Sequence, residues 1–258
     1  MGAELSDEQL DDFGDVEYIL DRIMKELNVQ FNTHKQLILK TLYAYISNSK
    51  ALDDLNCFSM FGTNSFNLVW EKVCAEVLDN QLQKPIGALK LPMPLKGKYH
   101  EFRHNKLIEL IEKPIWRSVA PSGAIFEKQA DDTLIPDIIS ITYINNDCFF
   151  VIFDAKYYNL QLEHNKKLRG QPGIESVTKQ YLYQLAYQEF ADSNGIKNIR
   201  NCFLLPTEEV NIVDKGTAVL PMLQSLGLQD IQLRLLPSNI MYKHYVSNTK
   251  LDIKDLML

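Results

Sequence analysis

Residues 134–158 read LIPDIISITYINNDCFFVIFDAKYY, and this stretch constrains the fold more than any other part of the chain. The segments DIISITYI and CFFVIFDA are apolar at successive positions, the pattern of strands covered on both faces. Between them lies Asn145-Asn146-Asp147. Asparagine tolerates the left-handed conformation that a tight hairpin turn requires. With Asn145 and Asn146 as the turn, the register sets Asp137 directly opposite Asp154. Opposed side chains in such a pair stand only about 4.5–5.5 Å apart at Cβ. Alternation then puts Lys156 on the same face as Asp154 and turns Ala155 to the other, where its small side chain leaves room for a helix.

Two adjacent carboxylates at the end of a buried sheet repel each other and lose hydration. A divalent cation resolves both costs, and carboxylate oxygens suit Mg²⁺. The Ala155 carbonyl is a candidate further ligand. The plainer alternative is an ion pair between Lys156 and one aspartate at a strand end.

The chain has 258 residues, 46% of them hydrophobic, enough for a real core. The spacing of Cys57, Cys74, Cys148 and Cys202 suits no metal site, and the expectation is free thiols in a reducing cytoplasm. No apolar run reaches membrane-spanning length, and the N-terminus lacks the pattern of a secretory signal. The formal net charge of -6 argues mildly against a nucleic-acid partner. Its distribution matters more than the sum. Residues 4–21 carry eight acidic residues and no basic one, whereas Lys84, Lys90, Lys96, Lys98, Arg103 and Lys106 face Glu101 alone. An anionic partner is therefore permitted.

Periodicity predicts helices over roughly 16–27, 33–47, 66–79 and 175–192 and a buried strand at 201–206. In the third helix Phe66, Val69, Trp70, Val73, Val77 and Leu78 form one stripe, with Glu71 at its edge. In the fourth, Ile174, Val177, Tyr181 and Leu185 share a face, and Gly195 is a plausible cap. Residues 48–64 read as a polar connection, 80–106 as an exposed irregular arm, and 161–173 as a polar basic loop. A strand before 128, from IWRSV or AIFE, is expected to join the core. Trp70 and Trp116 are both expected in the interior. The last fifty residues show no order that periodicity resolves.

The motif Pro136-Asp137 … Asp154-Ala155-Lys156 resembles the PD-(D/E)-x-K nuclease signature. Together with FNLVWEKVCAEVLDN, it further resembles LlaJI-type restriction endonucleases and related nuclease subunits of modification-dependent restriction systems, over roughly residues 60–206. The resemblance implies an α/β restriction-endonuclease-like core of order α-β-β-β-α-β, a mixed sheet flanked by helices. Residues 1–60 would be an acidic leader and helical N-terminal extension, and 61–258 the nuclease domain. It implies that Asp137, Asp154, the Ala155 carbonyl and Glu71 hold Mg²⁺. Lys156 would orient or help deprotonate the attacking water. It also implies hydrolysis of DNA phosphodiester bonds to 5′-phosphate and 3′-hydroxyl ends. The text KQYLYQ resembles an accessory element, making Lys179, Gln180 and Tyr183 candidates.

Lys96, Lys98, Arg103, Lys166, Lys167 and Arg169 are candidate contacts to the DNA backbone, since phosphate contacts supply most nonspecific affinity. His100 and His104 have the i,i+4 spacing of a helical metal pair, within a segment that is basic and irregular. No Gly-rich phosphate loop is present, so an NTPase is not expected. The expectation is a Type II-like restriction endonuclease acting on double-stranded DNA. Cutting both strands would need a homodimer, a partner nuclease or motor subunit, or sequential nicking. The alternatives are a subunit of a multi-protein system and a non-catalytic DNA-binding protein on a nuclease fold.

Overall fold

Asn145 and Asn146 take φ values of 52° and 72° and turn the chain between two strands, β3 (Ile138–Ile144) and β4 (Asp147–Ala155). Both asparagines are left-handed, the conformation of a two-residue hairpin whose twist matches its strands. The register runs from Ile144 opposite Asp147 to Ile138 opposite Phe153. The next pair outward is Asp137 and Asp154. The structure is a computed structural model that describes residues 13–30, 33–52 and 65–258. The expected leader over 1–12, the polar connection over 53–64 and Cys57 lie outside the described residues.

The chain divides into two compact units, Met1–Thr63 and Asn64–Leu258. In the first, α1 (Val16–Val29) begins at Asp15, whose carboxylate accepts from Tyr18 N at 2.8 Å. That bond satisfies one of the amides a helix start leaves open. It packs against α2 (Thr33–Leu52), with Ile23 and Ile46 buried. The second helix thus continues five residues into the expected polar connection.

The second unit is a mixed α/β fold. Its five-stranded sheet has the order β3-β4-β5-β7-β6. Here β5 is Asn198–Thr207, β6 Val213–Ala218 and β7 Ile231–Pro237. β4, β5 and β7 run parallel, while β3 and β6 are antiparallel edges. One face is covered by α3 (Phe66–Val77) and by α6 (Ser238–Val246). Trp70, Val73, Val77 and Met241 there meet Val151, Phe153, Ala155, Cys202 and Leu204. Ala155 does make room for a helix: the Trp70 indole donates to Leu204 O at 3.2 Å beside it. The other face is covered by α5 (Ile174–Ser193), through Tyr183, Tyr187 and Phe190 on Phe150 and Ile152. Each such large side chain contributes about 1.5–3 kcal/mol when fully buried.

Five expectations are corrected. The strands β1 (Ile115–Val119) and β2 (Ile125–Gln129) pair only with each other and stay outside the central sheet, so no strand before 128 belongs to it. Both are exposed at every residue, Trp116 being 71% exposed, because neither carries a stripe long enough to bury. Residues 80–106 are not an exposed arm. Leu82, Ile86 and Tyr99 insert into the α5-side core, and the segment closes on itself through Ile86 N to Asn105 O and Leu107 N to Lys84 O. It contains the short α4 (Lys98–Glu101). Of the face expected for α5, Tyr181 is buried, but Ile174 and Leu185 are exposed, and the buried residues include Gln180, Tyr183, Gln184, Tyr187 and Phe190. In α3, Phe66 and Val69 leave the stripe for the surface.

Three described cysteines, Cys74, Cys148 and Cys202, are buried free thiols. Among the described residues no helix is long and apolar enough to cross a membrane.

Candidate active site

The hairpin register delivers Asp137 and Asp154 side by side, and each is pinned by a neighbour. Asp137 Oδ2 accepts from Ala155 N at 2.9 Å, bridging the two strands. Lys156 Nζ lies 2.9 Å from Asp154 Oδ1 and 2.8 Å from Oδ2. Only Oδ1 receives a directed hydrogen bond; Oδ2 is buried without one. Asp154 is 6% exposed, a carboxylate placed where only a firm counter-charge makes it tolerable.

Burial pushes the Asp137 carboxyl up to about 7. The charge of Asp154 and a carboxyl-to-carboxyl hydrogen bond push the same way, the Ala155 amide opposes them, and the charge of Glu71 adds a smaller push. For Lys156 burial works downward, but the hydrogen bond and charge of Asp154, with the charge of Asp137, outweigh it and leave the pKa raised. Its ammonium is therefore held protonated.

Bracing comes from the main chain two residues before each acid. Gln180 Nε2 donates to Ile152 O at 2.7 Å, and the Tyr183 hydroxyl donates to Ile135 O at 2.9 Å. Both side chains sit beneath the acids and are almost fully buried; Gln180 Oε1 is left without a partner. Burial, then the charges of Asp154 and Asp137, raise the Tyr183 hydroxyl. Lys179 is tied to Glu175 at 2.5 Å, one turn away on α5. Glu71 approaches from α3, on the other face, near enough for Asp137 to feel its charge. Among the described residues no three His, Cys, Asp or Glu side chains form a metal-holding group, so Glu71 does not complete a triad, and neither do His100 and His104.

Sequence reasoning missed Asn80. Its Nδ2 donates to Asp137 O at 3.0 Å, and its Oδ1 accepts from Ile139 N at 3.1 Å and Leu82 N at 3.0 Å. The amide thus acts as a one-residue strand on the open edge of β3. The only signal was an Asp-Asn pair after a helix, which reads as a turn.

The six basic candidates fall into two places. Lys98 pairs with Glu189 at 2.5 Å, and Lys96 and Arg103 belong to the same segment. Nine residues of α5 separate Glu189 from Gln180, about 14 Å at 1.5 Å per residue. Lys166, Lys167 and Arg169 lie on an exposed loop after β4, closed by Gln161 N to Arg169 O at 2.9 Å, with Lys166 on Glu163 at 2.6 Å. Exposed pairs of this kind are worth about 0–1 kcal/mol and yield readily to a phosphate.

Fold and site together define a mixed α/β protein that gathers two carboxyls and an ammonium beyond the end of its sheet. The LlaJI restriction endonuclease family matches residues 2–94 and 96–224. The chain belongs to that family. It is also similar to the Type II restriction enzyme BsuMI component YdjA of Bacillus subtilis (strain 168), 30% identical over 199 residues. That match covers 77% of this chain and 36% of the relative, so the chain spans about a third of the curated relative's length. No solved structure matches it.

Proposed function

We propose that the chain is a magnesium-dependent DNA endonuclease of the PD-(D/E)-x-K type that hydrolyses phosphodiester bonds. The observation that carries this reading is the opposed Asp137–Asp154 pair with Lys156 on the same face. Family membership supports it, and so does the order of α3, the β3–β4 hairpin, α5 and β5.

The residues fit a hard divalent cation. Asp154 Oδ2 is a buried oxygen that receives no directed hydrogen bond, only the nearby charge of Lys156 at 2.8 Å, and burial together with the neighbouring Asp154 makes Asp137 costly to ionise until a cation offsets its charge. Asp137, Asp154 and the Ala155 carbonyl would hold Mg²⁺, with Glu71 reaching it through water. When bound, the ion supplies Lewis acidity to the scissile phosphate. Lys156, kept protonated, orients the attacking water and offsets charge growing on the phosphate oxygens; it does not take the proton. Water oxygen bonds to phosphorus, the bond to the 3′ oxygen breaks, and the proton shed by water is delivered to that oxygen. The products are a 5′-phosphate and a 3′-hydroxyl. Gln180, Tyr183 and Asn80 hold the two acids at a fixed separation. The basic residues at 166–169 contact the backbone of double-stranded DNA, with Lys96, Lys98 and Arg103 farther along α5.

A specific observation favours work within a larger enzyme: the relative is named a component of a Type II restriction enzyme. A single carboxylate pair cuts one strand, so a second copy or a partner nuclease or motor subunit completes a double-strand break.

The test is digestion of plasmid DNA with Mg²⁺ by the chain together with whatever copurifies with it, followed by sequencing of the ends. The expected ends carry 5′-phosphates and vanish with Asp154→Ala. Undiminished cutting by that variant overturns the reading.

A further inference from the structure

Two tyrosines follow Lys156, and they wall a second recess beside the acid pair. Tyr157, Tyr158 and Leu160 line one side, and Pro206, Leu235 and Ser238 the other, around about 540 Å³. That is within the range of about 300–1,000 Å³ that receives small ligands. The recess lies beyond the carboxyl ends of the parallel strands β4, β5 and β7, where open α/β sheets take their ligands. Asp154 pairs with Phe203, and Leu205 with Leu235. Because Phe203 pairs with Leu233, Leu235 is offset by two residues as well as two strand spacings, on the same sheet face as Asp154 and about 12 Å from it.

The chemistry of the walls selects the occupant. Tyr157 and Tyr158 are each 44% exposed, and Phe66 backs the Tyr157 ring at 5.5 Å between centroids. The free π faces suit a flat ring. Leu160, Pro206 and Leu235 give an apolar floor, and Asn159 and Thr207 bring an amide and a hydroxyl to the rim. None of the lining residues is a lysine or arginine, and Glu208 stands among them, so a phosphate is repelled. The loop carrying Lys166, Lys167 and Arg169 starts at this wall: the Gln161–Arg169 main-chain pair closes it immediately after Leu160. Phosphates have cations outside the recess, and a base has stacking surface within it.

We propose that this recess is a nucleoside-binding pocket that takes one unpaired base from the DNA strand lying across the acid pair, stacked on Tyr157 and Tyr158. The identity of the ligand as DNA rests on the nuclease reading. A base removed from its duplex stack is reached in this way by proteins that extrude nucleotides or hold single strands.

The test is equilibrium binding of the full chain, in EDTA, to a fluorescein-labelled oligothymidylate and to its abasic counterpart of equal length. Stacking predicts that the base-bearing strand binds about tenfold tighter or more. Tyr157→Ala with Tyr158→Ala should abolish that preference and leave affinity for the abasic strand as in the wild type. Tyr157→Phe with Tyr158→Phe should keep it, which separates stacking from folding. Equal binding of both strands by the wild type, or equal weakening of both by the alanine pair, overturns the proposal. Cleavage is not read here, so failure of the nuclease reading is seen separately, in the plasmid digestion with Mg²⁺.

Discussion

Asn80 and Asp137 are 57 positions apart in sequence, yet the amide of one holds the peptide of the other at 3.0 Å. Because the same amide accepts from Ile139 N, the main chain is gripped on both sides of the Ile138 Cα, immediately after Asp137. Asn80→Ala removes all three bonds of this side chain. Partners that orient a metal-holding group typically matter about 10–100-fold in metal affinity or activity. The expected outcome is Mg²⁺ binding weakened about tenfold or more in calorimetric titration, with circular dichroism unchanged. Asn80→Asp, which can accept but not donate, should fall between. Wild-type affinity in Asn80→Ala would show that the grip is idle.

Asp137 should make stability depend on pH when no cation is added. Its folded pKa of about 7 lies above its ordinary 3.8, so the folded state binds more protons between those values. Stability is then greatest below pH 4 as far as this group is concerned, and falls as pH rises through about 7. The full difference corresponds to roughly 4 kcal/mol at about 1.36 kcal/mol per pH unit. Asp137→Asn should flatten the urea-unfolding profile over this window. A wild-type profile that is already flat contradicts the assignment.

Lys156 is predicted to act by charge. Lys156→Met should lower single-turnover cleavage about 10²–10³-fold, the usual cost of removing one group aimed at developing charge. A rate in Lys156→Met within threefold of wild type would leave Lys156 with only its ion pair.

Arg234 is 1% exposed and joins β7 to the C-terminal turn: Nε donates to Leu256 O at 2.7 Å, and one Nη each to Met257 O and to Asp214. Arg234→Ala strands the two carbonyls and opens a cavity. Because Asp214 is half exposed, the cost is that of the carbonyls left unpaired, about 1–3 kcal/mol each where buried. Chemical denaturation should show it as a lower midpoint with the slope unchanged. A loss below about 1 kcal/mol would mean that water replaces the guanidinium.

The hairpin was legible from residues 134–158 because every cue there is local. Two asparagines accept the left-handed turn, alternation fixes the faces, and the turn fixes the register; together these opposed Asp137 to Asp154 and set Lys156 beside them. The spans of helices α1, α3 and α5 were legible from local apolar spacing, whereas the buried face of α5, which carries two glutamines and three tyrosines, was not. What surrounds the acids was not. The grip of Asn80, the braces from Gln180 and Tyr183, the burial of residues 80–106 and the exclusion of β1 and β2 from the sheet all depend on which distant surfaces meet. A polar residue reads alike in sequence whether it caps a turn in water or satisfies a buried carbonyl, and only packing distinguishes the two.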